Sequence, residues 1–128
     1  MSDFKTLLAV GDMVTSGVVS ISGDESVKSG AVKMASENAS SLLVVDQSGK
    51  LVGIVTERDV VYRAVAADLD VQSSKISQIM TQNPVSISHD ESIFEARNLM
   101  VSKKLNHLIV VKEGIPLGVL TSQAVLGS

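Results

Sequence analysis

The segment Gly53-Ile54-Val55-Thr56-Glu57-Arg58-Asp59 places a hydroxyl and a carboxylate three residues apart, directly after a short apolar run. In a capping box, two such side chains each accept a hydrogen bond from the other residue's backbone N–H at a helix start. The same pair could instead hold a ligand at the end of a strand. The heptapeptide alone leaves both interpretations open, so the elements that position it must be considered next.

The chain contains an internal repeat. Four segments of its first half recur in its second half, at an offset of 66 residues that drops to 65 in the last pair. With only two copies and a long period, the pattern predicts two similar subdomains related by a pseudo-twofold axis. The matching pairs are Val19–Ser22 with Val85–Ser88, Asp24–Ser26 with Asp90–Ser92, Leu42–Val45 with Leu108–Val111, and Gly53–Thr56 with Gly118–Thr121.

Each copy predicts a β-α-β-β-α order. Oxygen-bearing residues suited to helix capping precede stretches of helical periodicity, and short apolar runs flank polar turns. The first copy predicts strand 18–22, helix 27–38, strands 42–45 and 51–55, and a helix from 56 to about 68. The second copy predicts strand 85–88, helix 92–104, strands 108–111 and 117–120, and a short terminal helix.

The predicted fold class is α/β (α+β), with the whole chain, 1–128, forming one module. Its first repeat spans 10–68, a polar linker spans 69–75, and the second repeat spans 76–128. Neither small sheet can cover both of its faces, so we expect the two repeats to pack sheet to sheet.

The order of elements, the repeated Asp-Glu-Ser helix start, the apolar strand Ser40–Asp46 and the Gly53–Asp59 segment together resemble a tandem pair of CBS domains, the Bateman module. The resemblance covers nearly the whole chain. It implies a regulatory module that binds AMP, ADP, ATP or an S-adenosyl compound in clefts between the repeats, with no resident cofactor. It also implies a disc-like homodimer of modules and an unidentified downstream protein partner.

The resemblance implies a main cleft in which Asp59 accepts hydrogen bonds from ribose hydroxyls and Thr56 helps to hold the ribose or phosphate. His107 stands where the family often places a basic residue near the phosphates, and Asn106 replaces the basic residue common one position earlier. The predicted lining of this cleft is Ile54, Thr56, Asp59, Pro84, Val85, Leu105, Asn106 and His107.

A second, weaker cleft follows from the same resemblance. Ala124 occupies the aspartate position of this cleft and cannot accept a ribose hydrogen bond, so we expect the cleft to be empty, weak or adapted to another ligand. Its predicted lining is Val18, Val19, Ala39, Ser40, Ser41, Val119 and Thr121.

Composition narrows the function classes. The chain has 11 basic and 14 acidic residues, a net charge of −3, and only 2% aromatic residues, which disfavours nucleic acid and anionic membranes as partners. It has no cysteine, no leader-like N-terminus and no membrane-length apolar run, so we expect a cytoplasmic protein. No phosphate-binding glycine loop, metal-binding motif or nucleophile–base set stands out, so we expect no enzyme and no metal site.

Two alternatives remain open from the sequence. A nucleic-acid-binding CBS protein would need a basic face, which the charge pattern does not supply. A ligand-free structural or interaction subunit would need only the fold, and Ala124 favours it for at least one cleft.

Overall fold

The computed structural model describes residues 9–14 and 18–126, which form two compact units. One contains Val19–Pro84 and is called the 19–84 unit below. The other combines residues 9–14 and 18 with residues 85–126 and is called the 85–126 unit.

The 19–84 unit contains a four-stranded sheet in the order β1-β2-β3-β4. Strand β1 is parallel to β2, whereas β3 is antiparallel to both β2 and β4. Helix α1 connects β1 to β2, and helix α2 follows β3 and continues directly as a π-helix. The bounds are β1 Ser20–Ser22, α1 Val27–Glu37, β2 Ser41–Val45, β3 Leu51–Thr56, α2 Glu57–Asp59, π-helix Val60–Val65, a 3₁₀ turn Ile76–Gln78, and β4 Thr81–Gln82.

Helix α1 has a defined start and stop. The Ser26 hydroxyl accepts a hydrogen bond from the Ser29 N–H at 3.0 Å, which satisfies one of the donors left open at a helix start. At the other end Asn38 takes a left-handed conformation, φ 54°, which asparagine tolerates better than most residues. The chain therefore turns sharply and enters β2.

The core of the 19–84 unit forms where α1, the π-helix and the 3₁₀ turn cover one face of the sheet. Alternation along the strands sends every second side chain to this face. Gly30 lets the 3₁₀ turn pack closely, because a Cβ there would lie 2.5 Å from Ile76 Cδ1. The buried members are Ile21, Val27, Met34, Leu42, Val44, Val55, Ala64, Ile76 and Ile79.

The 85–126 unit repeats this pattern with a three-stranded sheet, β5-β6-β7, among the described residues. Helix α3 begins after Ser92, whose hydroxyl accepts from the Glu95 N–H at 3.1 Å, and ends at left-handed Lys104, φ 55°. The bounds are a 3₁₀ turn Val10–Met13, β5 Ser86–Ser88, α3 Ile93–Lys103, β6 His107–Lys112, β7 Ile115–Thr121 and α4 Ser122–Leu126. Its buried core is Val10, Ile87, Ala96, Met100, Leu108, Val110, Leu120 and Val125.

The α/β fold class and the β-α-β-β-α order of both repeats are confirmed, and the structure differs from the prediction at two local points. The helix predicted over 56–68 is α-helical only over Glu57–Asp59 and then becomes a π-helix that ends at Val65. Strand β4 is absent from the prediction. Within the predicted linker, Leu69 and Val71 pack on the core of the 19–84 unit, and the Lys28 N–H donates to the Val71 carbonyl at 2.9 Å.

The compact units divide the chain at different points from the sequence repeats. The segment that precedes the first strand of each repeat belongs to the compact unit that the other repeat forms. Ile76 and Ile79 are buried in the 19–84 unit, and Val10 is buried in the 85–126 unit. Apolar packing of these short turns, rather than the repeat boundary, therefore sets the division.

Candidate ligand-binding site

The end of the β2–β3 hairpin brings several of the predicted site residues together within the 19–84 unit. Antiparallel pairing sets Ser41 opposite Thr56 and Leu43 opposite Ile54. The Glu57 N–H then donates to the Ser40 carbonyl at 3.1 Å, which fixes the first turn of α2 against the strand entrance. Residues that the sequence assigned to two different clefts, Ser40 and Thr56 among them, thus lie at one end of one hairpin.

Thr56 and Asp59 form a complete capping box, as the capping interpretation of the sequence predicted. The Thr56 N–H donates to Asp59 Oδ2 at 2.9 Å, and the Asp59 N–H donates to Thr56 Oγ1 at 3.2 Å. The Thr56 hydroxyl also donates a hydrogen bond to Asp59 Oδ2 at 3.1 Å. One carboxylate oxygen of Asp59 therefore accepts two hydrogen bonds from a single residue.

The other carboxylate oxygen has a different neighbour. Asp59 Oδ1 lies 3.6 Å from Arg63 Nε, one helical turn further along the chain. This distance is an ion pair rather than a short hydrogen bond. Oδ1 consequently keeps acceptor capacity that the cap does not use.

Asp59 is the one charged residue that is buried among the described parts of the chain, with 9% of its surface exposed. Burial of a carboxylate is costly unless hydrogen bonds and an opposite charge compensate it. The capping box and Arg63 supply both kinds of compensation. The arrangement can therefore hold an ionised acceptor, with one oxygen available to a hydroxyl donor such as a vicinal diol.

The corresponding turn of the 85–126 unit carries only half of this arrangement. The Ala124 N–H donates to Thr121 Oγ1 at 3.2 Å, the counterpart of the Asp59-to-Thr56 bond. Alanine has no carboxylate, and Ala124 is exposed. This turn offers no acidic acceptor to a ligand.

Asn106 and His107 lie beside this second turn within the 85–126 unit. The Ser122 N–H donates to the Asn106 carbonyl at 2.9 Å, and the Ser122 hydroxyl donates to Asn106 Oδ1 at 3.2 Å. His107, the first residue of β6, is half-buried and pairs in register with Thr121. The side-chain oxygen of Asn106 thus supports its own hairpin.

The remaining predicted site residues are distributed over both units. Pro84, Val19 and Ala39 belong to the 19–84 unit and are half-buried, as are Val85, Leu105 and Val119 in the 85–126 unit, whereas Val18 there is exposed. Neither unit by itself contains all residues of either predicted cleft. The joining of Thr56 and Asp59 with residues 84, 85 and 105–107 stays a prediction.

Sequence reasoning missed Arg63. Its signal is the i, i+4 spacing from an acid to a base, which brings two side chains together on a helix.

Within residues 9–14 and 18–126, no helix combines the length and apolar character needed to cross a membrane. In the same ranges, no three His, Cys, Asp or Glu side chains are grouped so that they could hold a metal ion.

Comparison with known families identifies the class of protein. The CBS domain model matches the chain twice, over residues 10–66 and 76–128. These spans lie close to the predicted repeats, and the chain belongs to the CBS-domain family as a tandem pair. Proteins of this family are typically regulatory rather than catalytic modules.

Individual relatives support the assignment. The uncharacterised protein YlbB of Bacillus subtilis is 38% identical over 111 residues, which cover 86% of this chain and 74% of YlbB. The chain spans only 15% of the Arabidopsis thaliana CBS domain-containing protein CBSCBSPB5, to which it is 37% identical over 82 residues, 64% of this chain.

Two solved structures illustrate the similarity in fold. The CBS-domain containing protein ATU1752 of Agrobacterium tumefaciens is 25% identical, with a TM-score of 0.82 over 94% of this chain and 92% of its own. The CBS domain protein PAE2072 of Pyrobaculum aerophilum, solved in complex with AMP, is 22% identical, with a TM-score of 0.82 over 91% of this chain and 89% of its own.

Proposed function

We propose that this chain is a regulatory module that binds an adenine nucleotide at Thr56 and Asp59, with AMP as the favoured ligand. The nucleotide acts by differential affinity, because it populates the arrangement that binds it more tightly. A partner protein then receives the signal. ADP, ATP and S-adenosyl compounds share the adenosine moiety and are the other ligands to be tested.

The buried carboxylate of Asp59 carries this proposal. Its oxygen Oδ1 lies 3.6 Å from Arg63 and has acceptor capacity beyond the cap, as a ribose diol requires. The AMP complex of PAE2072 supports AMP as the first ligand to test, although 22% identity to that protein establishes the fold alone.

Isothermal titration of AMP, ADP, ATP and S-adenosylmethionine into wild type and Asp59→Asn tests the proposal. Asparagine keeps the size of the side chain and one acceptor oxygen, but it loses the charge. We expect saturable binding of at least one nucleotide, weakened at least about tenfold in the variant, which corresponds to about 1.4 kcal/mol. Absence of binding by wild type would overturn the proposal.

Asp68→Asn provides a charge-matched control. Asp68 is exposed, lies beyond the π-helix and has φ 60°, a conformation that asparagine accepts readily. The substitution Asp68→Asn removes one negative charge from the same segment without altering the capping box. We expect this variant to bind nucleotide as wild type does.

A second candidate function is that of an interaction subunit with no bound nucleotide. The completeness of the capping box favours it, because Thr56 and Asp59 each have a structural partner without any ligand. This alternative predicts that complex formation with a partner protein is unaffected by nucleotide. A nucleic-acid-binding function would require salt-dependent retention on DNA or RNA, for which the net charge of −3 gives no support.

The proposal includes a homodimer in the cytoplasm. Within the 19–84 unit, the π-helix leaves Val61, Tyr62 and Val65 between 54% and 60% exposed. Val61 also lines a groove of about 410 Å³, together with Ala31, Ala35 and Val60 among others. Light scattering of wild type and Tyr62→Asp tests this part, with a dimer expected to dissociate in the variant.

A further inference from the structure

Arg63 makes contacts in two directions from the π-helix. Its Nε lies 3.6 Å from Asp59 Oδ1, and its Nη1 donates to the carbonyl oxygens of Ile79 and Met80, each at 3.4 Å. The planar guanidinium presents several donors in a fixed fork, so one side chain can serve both sets of acceptors. Arg63 thus connects the buried carboxylate to the segment that precedes β4.

The position of Oδ1 depends on a soft torsion. Rotation about the terminal sp³–sp² bond of an aspartate has a broad energy profile, unlike the staggered torsions of aliphatic side chains. The capping box restrains this torsion through Oδ2 alone, so a contact at Oδ1 adds a second restraint on the same planar carboxylate. A ligand hydroxyl needs Oδ1 in a defined direction, and an acceptor that is held in place beforehand binds more tightly.

The segment that braces Arg63 is itself fixed to the strand that leads into the cap. Ile79 is buried in the core, and Met80 precedes β4. Strand β4 pairs with β3 through Gly53 opposite Gln82 and Ile54 opposite Thr81. A closed series of contacts therefore runs from Thr56 through Asp59 and Arg63 to β4, and back along β3.

We propose that Arg63 is a positioning residue for ligand binding: braced on the carbonyls of Ile79 and Met80, it holds Asp59 Oδ1 in the direction that a ligand hydroxyl requires. This role rests on the proposed nucleotide function of Asp59. The second repeat has neither group in its sequence, since Ala124 and Ser128 stand at the positions of Asp59 and Arg63. Acid and base are thus present together in one copy and lacking together in the other.

Titration of AMP into Arg63→Gln, Arg63→Lys and Arg58→Gln tests the role. Arg58→Gln is the matched control, because it removes the same charge from the same helical segment. The Arg58 guanidinium lies 4.2 Å from the centroid of the Tyr62 ring. We expect Arg63→Gln to bind AMP about three- to fivefold more weakly than wild type, the scale of a half-exposed ion pair. Lysine keeps the charge but lacks the fork, so Arg63→Lys should recover part of the loss, and Arg58→Gln should match wild type.

Hydrogen exchange in the ligand-free protein tests the brace without any nucleotide. In Arg63→Gln, peptides that cover residues 79–82 should exchange faster than in Arg58→Gln, while the unfolding midpoints show that both variants are folded. AMP affinity in Arg63→Gln equal to that in Arg58→Gln would overturn the positioning role and leave the proposed function intact. If wild type binds none of AMP, ADP, ATP and S-adenosylmethionine, the proposed function fails; equal exchange of residues 79–82 in the two variants then overturns the brace itself.

Discussion

The two strand-to-helix turns of this molecule share one hydrogen bond, from a backbone N–H to a threonine hydroxyl, but differ in the side chain three residues after the threonine. At Thr56 and at Thr121, the hydroxyl accepts a 3.2 Å hydrogen bond from the backbone N–H three residues on. Only the first turn adds a carboxylate, and that carboxylate is buried. Since the turn at Thr121 forms with Ala124 in the acidic position, the fold of such a turn does not require Asp59.

The comparison extends to the residues that support each turn. In the 19–84 unit, Arg63 reaches both Asp59 and the carbonyls that precede β4. In the 85–126 unit, the Ser122 N–H bond to the Asn106 carbonyl matches that from Glu57 to Ser40, and the Ser122 hydroxyl adds a hydrogen bond to Asn106 Oδ1. The first turn is therefore organised around a buried charge, and the second around neutral hydrogen bonds.

The largest effect should come from Gly53→Ala, which alters the strand that leads into the charged turn. An added Cβ would lie 2.6 Å from Met80 Sδ and 2.8 Å from the Thr81 carbonyl oxygen, so the backbone of β4 must move. We expect a loss of about 2 kcal/mol in the free energy of unfolding, measured in urea.

Gly23→Ala is the control for this substitution. Its new methyl group would meet Val44 Cγ1 at 3.3 Å and Ser77 Cβ at 3.4 Å, contacts that need only small adjustments. Equal losses in the two variants would contradict the close approach of β4 to Gly53.

Asp59→Ala makes the first turn chemically similar to the second. It removes the acceptor of the Thr56 N–H and leaves Arg63 without its carboxylate. We expect a loss of about 1–2 kcal/mol in the free energy of unfolding, the range for a lost cap with a partly buried donor. A change below about 0.3 kcal/mol would show that burial of the charge costs as much as the cap contributes.

Ala124→Asp makes the reverse change in the second turn. The new carboxylate can accept from the Thr121 N–H and lies in the first turn of a helix, where acids are favourable. Because Ala124 is exposed, we expect a gain of only about 0.5 kcal/mol in the free energy of unfolding. Ala124→Asn separates hydrogen bonding from charge, and a destabilised aspartate variant would contradict the equivalence of the two turns.

The smallest effect concerns the hairpins that precede the turns. In the 19–84 unit, hydrogen bonds from the Ser48 hydroxyl and the Lys50 N–H lower the pKa of Asp46 below its ordinary value of 3.8. The hairpin of the 85–126 unit has a shorter turn, formed by Glu113 and Gly114. Because the pKa of Asp46 is lower in the folded state, its carboxylate stabilises the fold at pH values above the unfolded-state pKa. This contribution is lost as the pH falls through the folded-state pKa. An NMR titration should give a midpoint for Asp46 below 3.8, and Ser48→Ala should raise it.

The sequence predicted most of the fold because both repeats follow simple local rules. Strand alternation, serine caps at Ser26 and Ser92, and glycine-containing hairpins fix the elements nearly independently of tertiary context. The capping box was visible as Thr56 followed by Asp59. Met34 and Met100 match at the 66-residue offset of the repeat, and both are buried.

The remaining features depend on packing that local patterns do not encode. Strand β4 consists of two exposed polar residues, Thr81 and Gln82, and only its pairing with β3 makes it a strand. The apolar pattern of Val60–Val65 fits an α-helix as well as the observed π-helix. The role of Arg63 was missed because its contacts with the carbonyls of Ile79 and Met80 form only when these distant segments pack together.

Amide NMR during an AMP titration tests the central claim most directly, since it reports on both turns in one experiment. The account predicts saturable shifts of the Thr56 and Asp59 amides that need at least about tenfold more AMP in Asp59→Asn and are unchanged in Asp68→Asn, with smaller changes at Thr121 and Ala124. Shifts centred on Thr121 and Ala124, or an unchanged spectrum at saturating AMP, would contradict it.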